Sequence, residues 1–215
     1  MTSFVSIIIP VKDEPFLSSF INDLKPHLLT IPHEIIVVTS DKTKKPLCPL
    51  PSHIIVHKSF GDSLERAILL GFSVAQGEKI IVMDADGSHP PHHLSEMIAK
   101  LDNYEMVVAS RFLEKGKYLT SPLRFLITFI FNQYAKLFGS TLTDPMSGYF
   151  GIQSQLLSKI KFKPYKWKVA LEINNKLHPT TFEFPFVFHN RKNGKSKCTW
   201  KVGIKLIWDI TVNAL

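Results

Sequence analysis

Short apolar runs alternate with helically spaced stretches through the first half of the chain. Phe4–Pro10 (FVSIIIP) reads as a buried strand, because β-branched residues dominate it and Pro10 stops it. Glu14–Leu29 follows as a helix with Asp13 as its N-cap. Glu34–Thr39 (EIIVVT) and His53–His57 (HIIVH) give a second and a third strand. Ser59–Gln76 is a helix whose apolar face carries Leu64, Ala67, Ile68, Gly71 and Val74 before Gly77 closes it. Lys79–Met83 (KIIVM) is the fourth strand, Pro91–Leu101 a helix and Met106–Ser110 (MVVAS) the fifth strand. This alternation predicts βαβ units and an α/β fold with a mostly parallel central sheet flanked by helices. Ligands of such sheets bind beyond the carboxyl ends of the strands, and the polar motifs fall there.

The second half has a different texture. Ser121–Phe138 (SPLRFLITFIFNQYAKLF) is helical and unusually apolar. Gln153–Ile160 and Trp167–Leu177 read as further helices, Thr181–Phe188 as a strand, and Thr199–Leu215 as a closing amphipathic helix. Residues 1–198 are thus expected to form one domain, with residues 199–215 appended to it. The stretch Asp41–Ser52, rich in proline and lysine, is a surface loop. With 45% hydrophobic and 20% charged residues the composition is globular. No apolar stretch reaches the ~18 residues a bilayer-spanning helix needs, and no basic segment precedes the first apolar run. Cys48 and Cys198 lack metal-site spacing and read as reduced thiols of a cytoplasmic protein.

Charge changes the picture more than composition does. The net charge is +8, yet residues 1–150 hold 14 basic against 15 acidic side chains, and residues 151–215 hold 12 against 3. The last third therefore suits an anionic partner such as phosphate or anionic lipid. Nucleic acid is disfavoured, because the aromatics sit in apolar runs rather than interleaved with Lys and Arg.

The sharpest local signal is Asp84-Ala85-Asp86, directly after KIIVM and before Gly87-Ser88-His89-Pro90-Pro91. Two carboxylates at this spacing can converge on Mg²⁺ or Mn²⁺, which would also take oxygens from a diphosphate. The competing reading is an Asx-turn at Asp86 with Asp84 as a solvated strand end. Further on, Arg191 can fork onto phosphate oxygens, Gly194 permits close backbone approach, and Ser196 and Lys197 add donors and charge. An ordinary basic hairpin is the alternative there. His89, His92 and His93 surround two prolines at a helix start, which favours a structural role over a second metal site.

The stretch Gly61–Pro91 resembles the donor-site core of family 2 glycosyltransferases, in particular dolichyl-phosphate mannosyltransferases and their bacterial polyprenyl-phosphate relatives. Ile7–Glu14 (IIIPVKDE) is similar to their first-strand motif, with Pro10 and Glu14 bordering the nucleotide base and Lys12 near the place of a usual aromatic. Ala109–Phe112 (ASRF) resembles the motif whose arginine, here Arg111, contacts a donor or acceptor phosphate. Asp144–Gly151 (DPMSGYFG) matches D-P-x-S-G-[YF]-[FW], Glu172-Ile173 stands at the family's acidic helix position, and Arg191–Lys197 (RKNGKSK) matches R-x-x-G-x-S-K. One motif departs: Val38-Thr39-Ser40-Asp41-Lys42 replaces V-D-D-G-S, leaving Asp41, or Thr39 and Ser40, to meet the base.

The resemblance implies the GT-A fold, a D-x-D metal site at Asp84 and Asp86, and a nucleotide-sugar donor held also by Ala85 and Ser88. It places Asp144 on the donor sugar or the metal, and Arg124, Arg191, Ser196 and Lys197 on phosphate. The implied reaction is inverting, metal-dependent transfer of a sugar to a polyprenyl (dolichyl) phosphate, with mannose from GDP-mannose as the first expectation. A lipid phosphate is already an anion, so no strong general base is required and catalysis rests on positioning and electrostatics. Asp86 with the metal would take the leaving-group role, and Arg191 and Lys197 would hold phosphate. Phe125–Phe131 (FLITFIF) and the Trp- and Lys-bearing segment 199–215 suit a membrane interface, which places the protein peripherally on a cytoplasmic membrane face, alone or with a small membrane protein. Three alternatives stay open: another donor such as UDP-glucose, a glycan acceptor with Glu172 or Asp144 as base, and a non-catalytic membrane-associated module of the same fold.

Overall fold

A computed structural model describes residues 3–43, 50–51, 54–61, 63–119, 121–162 and 168–188. Strand β1 (Val5–Val11) is buried along its whole length, because both faces of its sheet are covered. Val5, Ile7, Ile9 and Val11 enter one layer with Leu17, Phe20, Ile21 and Leu24 of α1 (Leu17–Leu24) and Leu94 and Met97 of α3 (Leu94–Lys100). Ile8 enters the other with Ala67, Ile68 and Phe72 of α2 (Leu64–Val74) and Val169, Ala170 and Ile173 of α5 (Val169–Leu177). The two-residue period of a strand produces this division.

Strands β2 (His33–Ser40) and β3 (Ile55–Ser59) extend the sheet on one side of β1 and β4 (Lys79–Val82) on the other, all parallel. Strand β7 (Phe150–Gln153) runs antiparallel between β4 and β5 (Met106–Ser110), and β8 (Thr181–Pro185) lies parallel to β5. The order is β3-β2-β1-β4-β7-β5-β8. A second small sheet pairs β6 (Lys117–Tyr118) with β9 (Val187–Phe188). Because β7 is reversed, its amino end shares an edge with the carboxyl ends of β1, β2, β4 and β5. That edge collects the polar motifs.

Several boundaries differ from the sequence reading. The first helix starts at Leu17 with Phe16 as N-cap, while Asp13 sits at φ 55 in the turn before it and does not cap it. It stops at Leu24, where a 3₁₀ turn holding Pro26 takes over, since proline supplies no N–H to an α-helix. The expected helix Gln153–Ile160 is instead strand β7 followed by a 3₁₀ turn over Ser154–Lys159. The expected strand Thr181–Phe188 breaks into β8 and β9 after Pro185. Helix α4 (Pro122–Leu137) begins where the sequence placed it, with Ser121 Oγ accepting the Arg124 N–H at 3.4 Å and Pro122 in the first turn.

Gly71 lets α2 lie close on β1. A Cβ there would stand 2.5 Å from Cγ2 of Ile8, which is fully buried. Gly71→Ala is therefore expected to lower the unfolding free energy by about 1–3 kcal/mol through overpacking, despite alanine's better helix propensity. Urea denaturation reads the effect; an unchanged midpoint would mean that Ile8 can turn aside.

Candidate active site

The amide of Met83 still donates to Ile8 O at 3.1 Å, as a continuation of the β1–β4 ladder. The next amide, that of Asp84, points to the other side of the strand and donates to Nδ1 of His89 at 2.8 Å. Oδ1 of Asp86 accepts both the Ser88 N–H (3.0 Å) and the Ser88 hydroxyl (2.5 Å), around Gly87 at φ 82. The Asx-turn weighed as a competing reading is thus present, and it fixes the Asp86 carboxylate. Ala85, Asp86 and Ser88 are buried, whereas the Asp84 carboxylate is 25% exposed. Gly148 flanks this loop: a Cβ there would come within 3.6 Å of His89 Cε1 and 4.0 Å of Asp84 Oδ2.

Among the described residues no group of three or more His, Cys, Asp and Glu could hold a metal ion. Two carboxylates do fit a hard divalent cation, because Mg²⁺ is commonly bound through one or two carboxylates plus substrate phosphates. Asp84 and Asp86 supply that number on one short turn. His92 and His93 lie against each other (4.1 Å between ring centroids) and His93 against Phe184 (4.9 Å). Burial, with His92 beside it, pushes His93 down to about 4, so it remains a neutral packing residue near neutral pH.

At the end of β5 the chain forms a buried ion pair. Arg111 Nε and Nη2 donate to the two carboxylate oxygens of Asp144 at 2.6 and 2.7 Å, and the Arg111 amide adds a third bond at 3.1 Å. The arginine expected on a phosphate and the aspartate expected on the sugar or metal therefore lie on each other, with side chains 8% and 0% exposed. Burial by itself would lower the pKa of Arg111, but the charge and hydrogen bonds of Asp144, with help from Tyr118, raise it. The guanidinium therefore keeps its charge in spite of burial.

Glu183 on β8 supports this arrangement from behind. Its carboxylate accepts the Thr143 N–H (2.9 Å) and hydroxyl (2.8 Å) and the Asp144 N–H (3.4 Å), while Thr143 also meets the Ser110 hydroxyl at 2.6 Å. Burial raises the pKa of Glu183, against the lowering by those hydrogen bonds from Thr143 and Asp144. Tyr118 and Phe188 of the small sheet carry both arginines of this side. The Arg111 guanidinium lies 4.5 Å from the Tyr118 ring centre and 5.5 Å from that of Phe188. For Arg124, at the start of α4, the distances are 5.9 and 5.7 Å.

On the opposite side, Pro10 is buried in β1 and Glu14 lies in the turn after it. Asp41 Oδ1 accepts the Gly61 N–H at 2.8 Å, Ser40 donates to Gly61 O at 2.8 Å, and the Thr39 and Thr43 hydroxyls meet at 2.9 Å. These side chains tie the end of β2 to the loop after β3. Glu172 is buried on α5 and accepts Lys176 Nζ at 2.6 Å. Arg191, Ser196, Lys197 and the expected helix 199–215 lie outside the described residues. Sequence reasoning missed Glu183, Thr143, Tyr118 and Phe188, and treated His89 only as a structural residue. The Pro185 break, which frees Phe188 for a second sheet, was the one readable sign.

A mostly parallel sheet with a D-x-D turn leaving its fourth strand is the GT-A arrangement of nucleotide-sugar transferases. The chain belongs to glycosyl transferase family 2, whose sequence model matches residues 6–161. It is 29% identical over 210 residues to dolichol-phosphate mannosyltransferase of Pyrococcus furiosus, covering 92% of this chain and 60% of that protein. It is 30% identical over 157 residues to dolichol-phosphate mannosyltransferase of Saccharomyces cerevisiae, covering 67% and 58%. The chain thus spans about 60% of the length of these relatives. The fold is shared with glucosyl-3-phosphoglycerate synthase from Mycobacterium tuberculosis, solved in complex with Mn²⁺, UDP and phosphoglyceric acid, at a TM-score of 0.70 and 14% identity over 99% of this chain and 78% of that one. The same enzyme has been solved with Mn²⁺, UDP-glucose and phosphoglyceric acid, also at a TM-score of 0.70.

Proposed function

We propose that this chain transfers a hexose from a nucleoside diphosphate sugar to a phosphate-bearing acceptor, with polyprenyl phosphate as the acceptor to test first. The carrying observation is the Asp84–Ser88 turn beside Gly148, on the same sheet edge as the Arg111–Asp144 pair. Asp84 and Asp86 would hold a divalent cation, which when bound neutralises charge developing on the leaving diphosphate. Asp144 holds the Arg111 guanidinium against the carboxyl end of β5, and Arg124, on the same Tyr118–Phe188 shelf, offers positive charge to a phosphate. Arg191, Ser196 and Lys197 are assigned to phosphate from their motif. A phosphate nucleophile needs no proton removed, so no residue is assigned as a general base.

The names of the curated relatives favour mannose and a polyprenol. The UDP and UDP-glucose held by enzymes of the same fold give a UDP-hexose at least equal standing as donor. The outward face of α4 favours a membrane-borne acceptor. Phe125, Leu126, Phe129, Ile130 and Leu137 are all exposed on it, where a surface helix ordinarily turns polar residues outward. Among the described residues no helix is long and apolar enough to cross a membrane. The chain would then lie on a membrane surface through α4, with 199–215 as a second interfacial segment.

The test is transfer of radiolabelled sugar from GDP-mannose, UDP-glucose and further donors to polyprenyl phosphate in vesicles, with Mn²⁺ or Mg²⁺ and with EDTA. Lipid-linked product that disappears with EDTA is expected, and it names the donor. Metal-dependent nucleotide binding without lipid product from any donor would move the acceptor to a soluble phosphate or a glycan. No nucleotide binding at all would sink the enzyme reading.

A further inference from the structure

His89 meets Asp84 by one hydrogen bond and one longer approach. Its Nδ1 accepts the Asp84 amide at 2.8 Å, and its Nε2 stands 3.9 Å from Asp84 Oδ2. A main-chain N–H can only donate, so Nδ1 must carry no proton and the ring hydrogen belongs on Nε2. The amide it accepts lies just beyond the end of β4, and this hydrogen bond satisfies it inside the protein. The ring is 3% exposed, stacked on Tyr149 (4.9 Å between centroids, 12° between planes) and edge-on to Phe186 at 6.2 Å. Tyr149 is fixed in turn by its hydroxyl donating to Pro90 O at 3.2 Å.

We propose that His89 is a positioning residue for metal-dependent donor binding: held against Tyr149 and accepting the Asp84 amide, it fixes the backbone from which the Asp84 carboxylate projects. The inference rests on the reading that Asp84 and Asp86 hold a divalent cation. Partners that orient metal ligands typically affect metal affinity about 10–100-fold when replaced. His89 joins the D-x-D turn to the D-P-M-S-G-Y segment through its stacking on Tyr149, beside the Tyr149–Pro90 hydrogen bond.

The test uses the full chain and two variants. His89→Leu removes the acceptor, while His89→Asn keeps a carboxamide oxygen near the position of Nδ1. Free Mn²⁺ would be followed by electron paramagnetic resonance during titration in the presence of GDP or UDP, with thermal midpoints recorded in parallel. His89→Leu is expected to weaken nucleotide-dependent Mn²⁺ binding by roughly 10–100-fold, and His89→Asn to recover most of it. Wild-type protein that binds no Mn²⁺ with either nucleotide would refute the underlying metal reading. Wild-type binding that survives His89→Leu within about twofold, or falls equally in both variants, would refute the role of His89 alone. Should His89→Leu fail to fold, His89→Phe, which keeps a ring against Tyr149 but offers no acceptor to the Asp84 amide, takes its place with the same expected and overturning results.

Discussion

Replacing Asp144 with alanine will lower the unfolding free energy by about 3–5 kcal/mol, because it strands a buried guanidinium. The side chain of Arg111 is 8% exposed and gives two of its N–H groups to Asp144, so its charge has no route to bulk water once that carboxylate is gone. Loss of the Asp144 carboxylate also leaves the Arg111 amide without its acceptor. For a chain of this size the loss corresponds to a fall in Tm of roughly 10 °C. The diagnostic is the double variant Arg111→Met/Asp144→Leu, which removes both charges and should be distinctly more stable than Asp144→Ala. A single variant within about 1 kcal/mol of wild type would mean that solvent reaches Arg111 and that the pair is no more than a surface bridge.

Asp86→Asn is the largest expected effect on chemistry. The carboxamide keeps an acceptor oxygen for the Ser88 amide and hydroxyl, and it fills nearly the same volume, so the turn should persist and the thermal midpoint should hardly move. What disappears is one negative charge of the pair assigned to the cation. A metal of this kind contributes several kcal/mol to transition-state stabilisation, so turnover should fall on the order of 10²–10³-fold or more. Mn²⁺ binding in the presence of nucleotide should fall with it. Turnover lost at unchanged Mn²⁺ affinity would take the metal away from Asp86 and leave it a role in shaping the turn.

How much of this was legible depends on how local the information was. FVSIIIP and KIIVM read as buried strands from their β-branched residues, although β1 runs through Pro10 to Val11 instead of stopping there, and the D-x-D turn is written in six consecutive residues. Ser121-Pro122 announced the start of α4 correctly, because a cap and an N1 proline act within one turn. Asp13 misled for the same reason: it has cap chemistry, but Pro15 and a left-handed backbone shift the helix to Leu17. β7 could not be read, since FGIQ is short and its Gly151 adds no side chain to the pattern; the strand exists because β4 and β5 each lack a neighbour. The Arg111–Asp144 pair spans 33 residues and Glu183 reaches Thr143 across 40. No periodicity carries such distances. The family resemblance located Arg111 and Asp144 as important without revealing that they meet.

The reversed strand at the centre of the sheet also dictates an order of assembly. β4 and β5 follow one another in the chain but never pair; each waits for β7, whose partners include Val82 with Phe150 and Met106 with Ile152. A growing chain can therefore complete the β3-β2-β1-β4 half early. It cannot attach β5, and so cannot bring Arg111 to the same sheet edge as the D-x-D turn, until residue 153 has been made and has threaded back into the gap. Loop-closure entropy over such separations makes the joining step slow relative to the local βαβ units. Until it occurs, β4 presents an apolar, unpaired edge. The same insertion that assembles the site sets the interval in which the newborn chain is most exposed to aggregation.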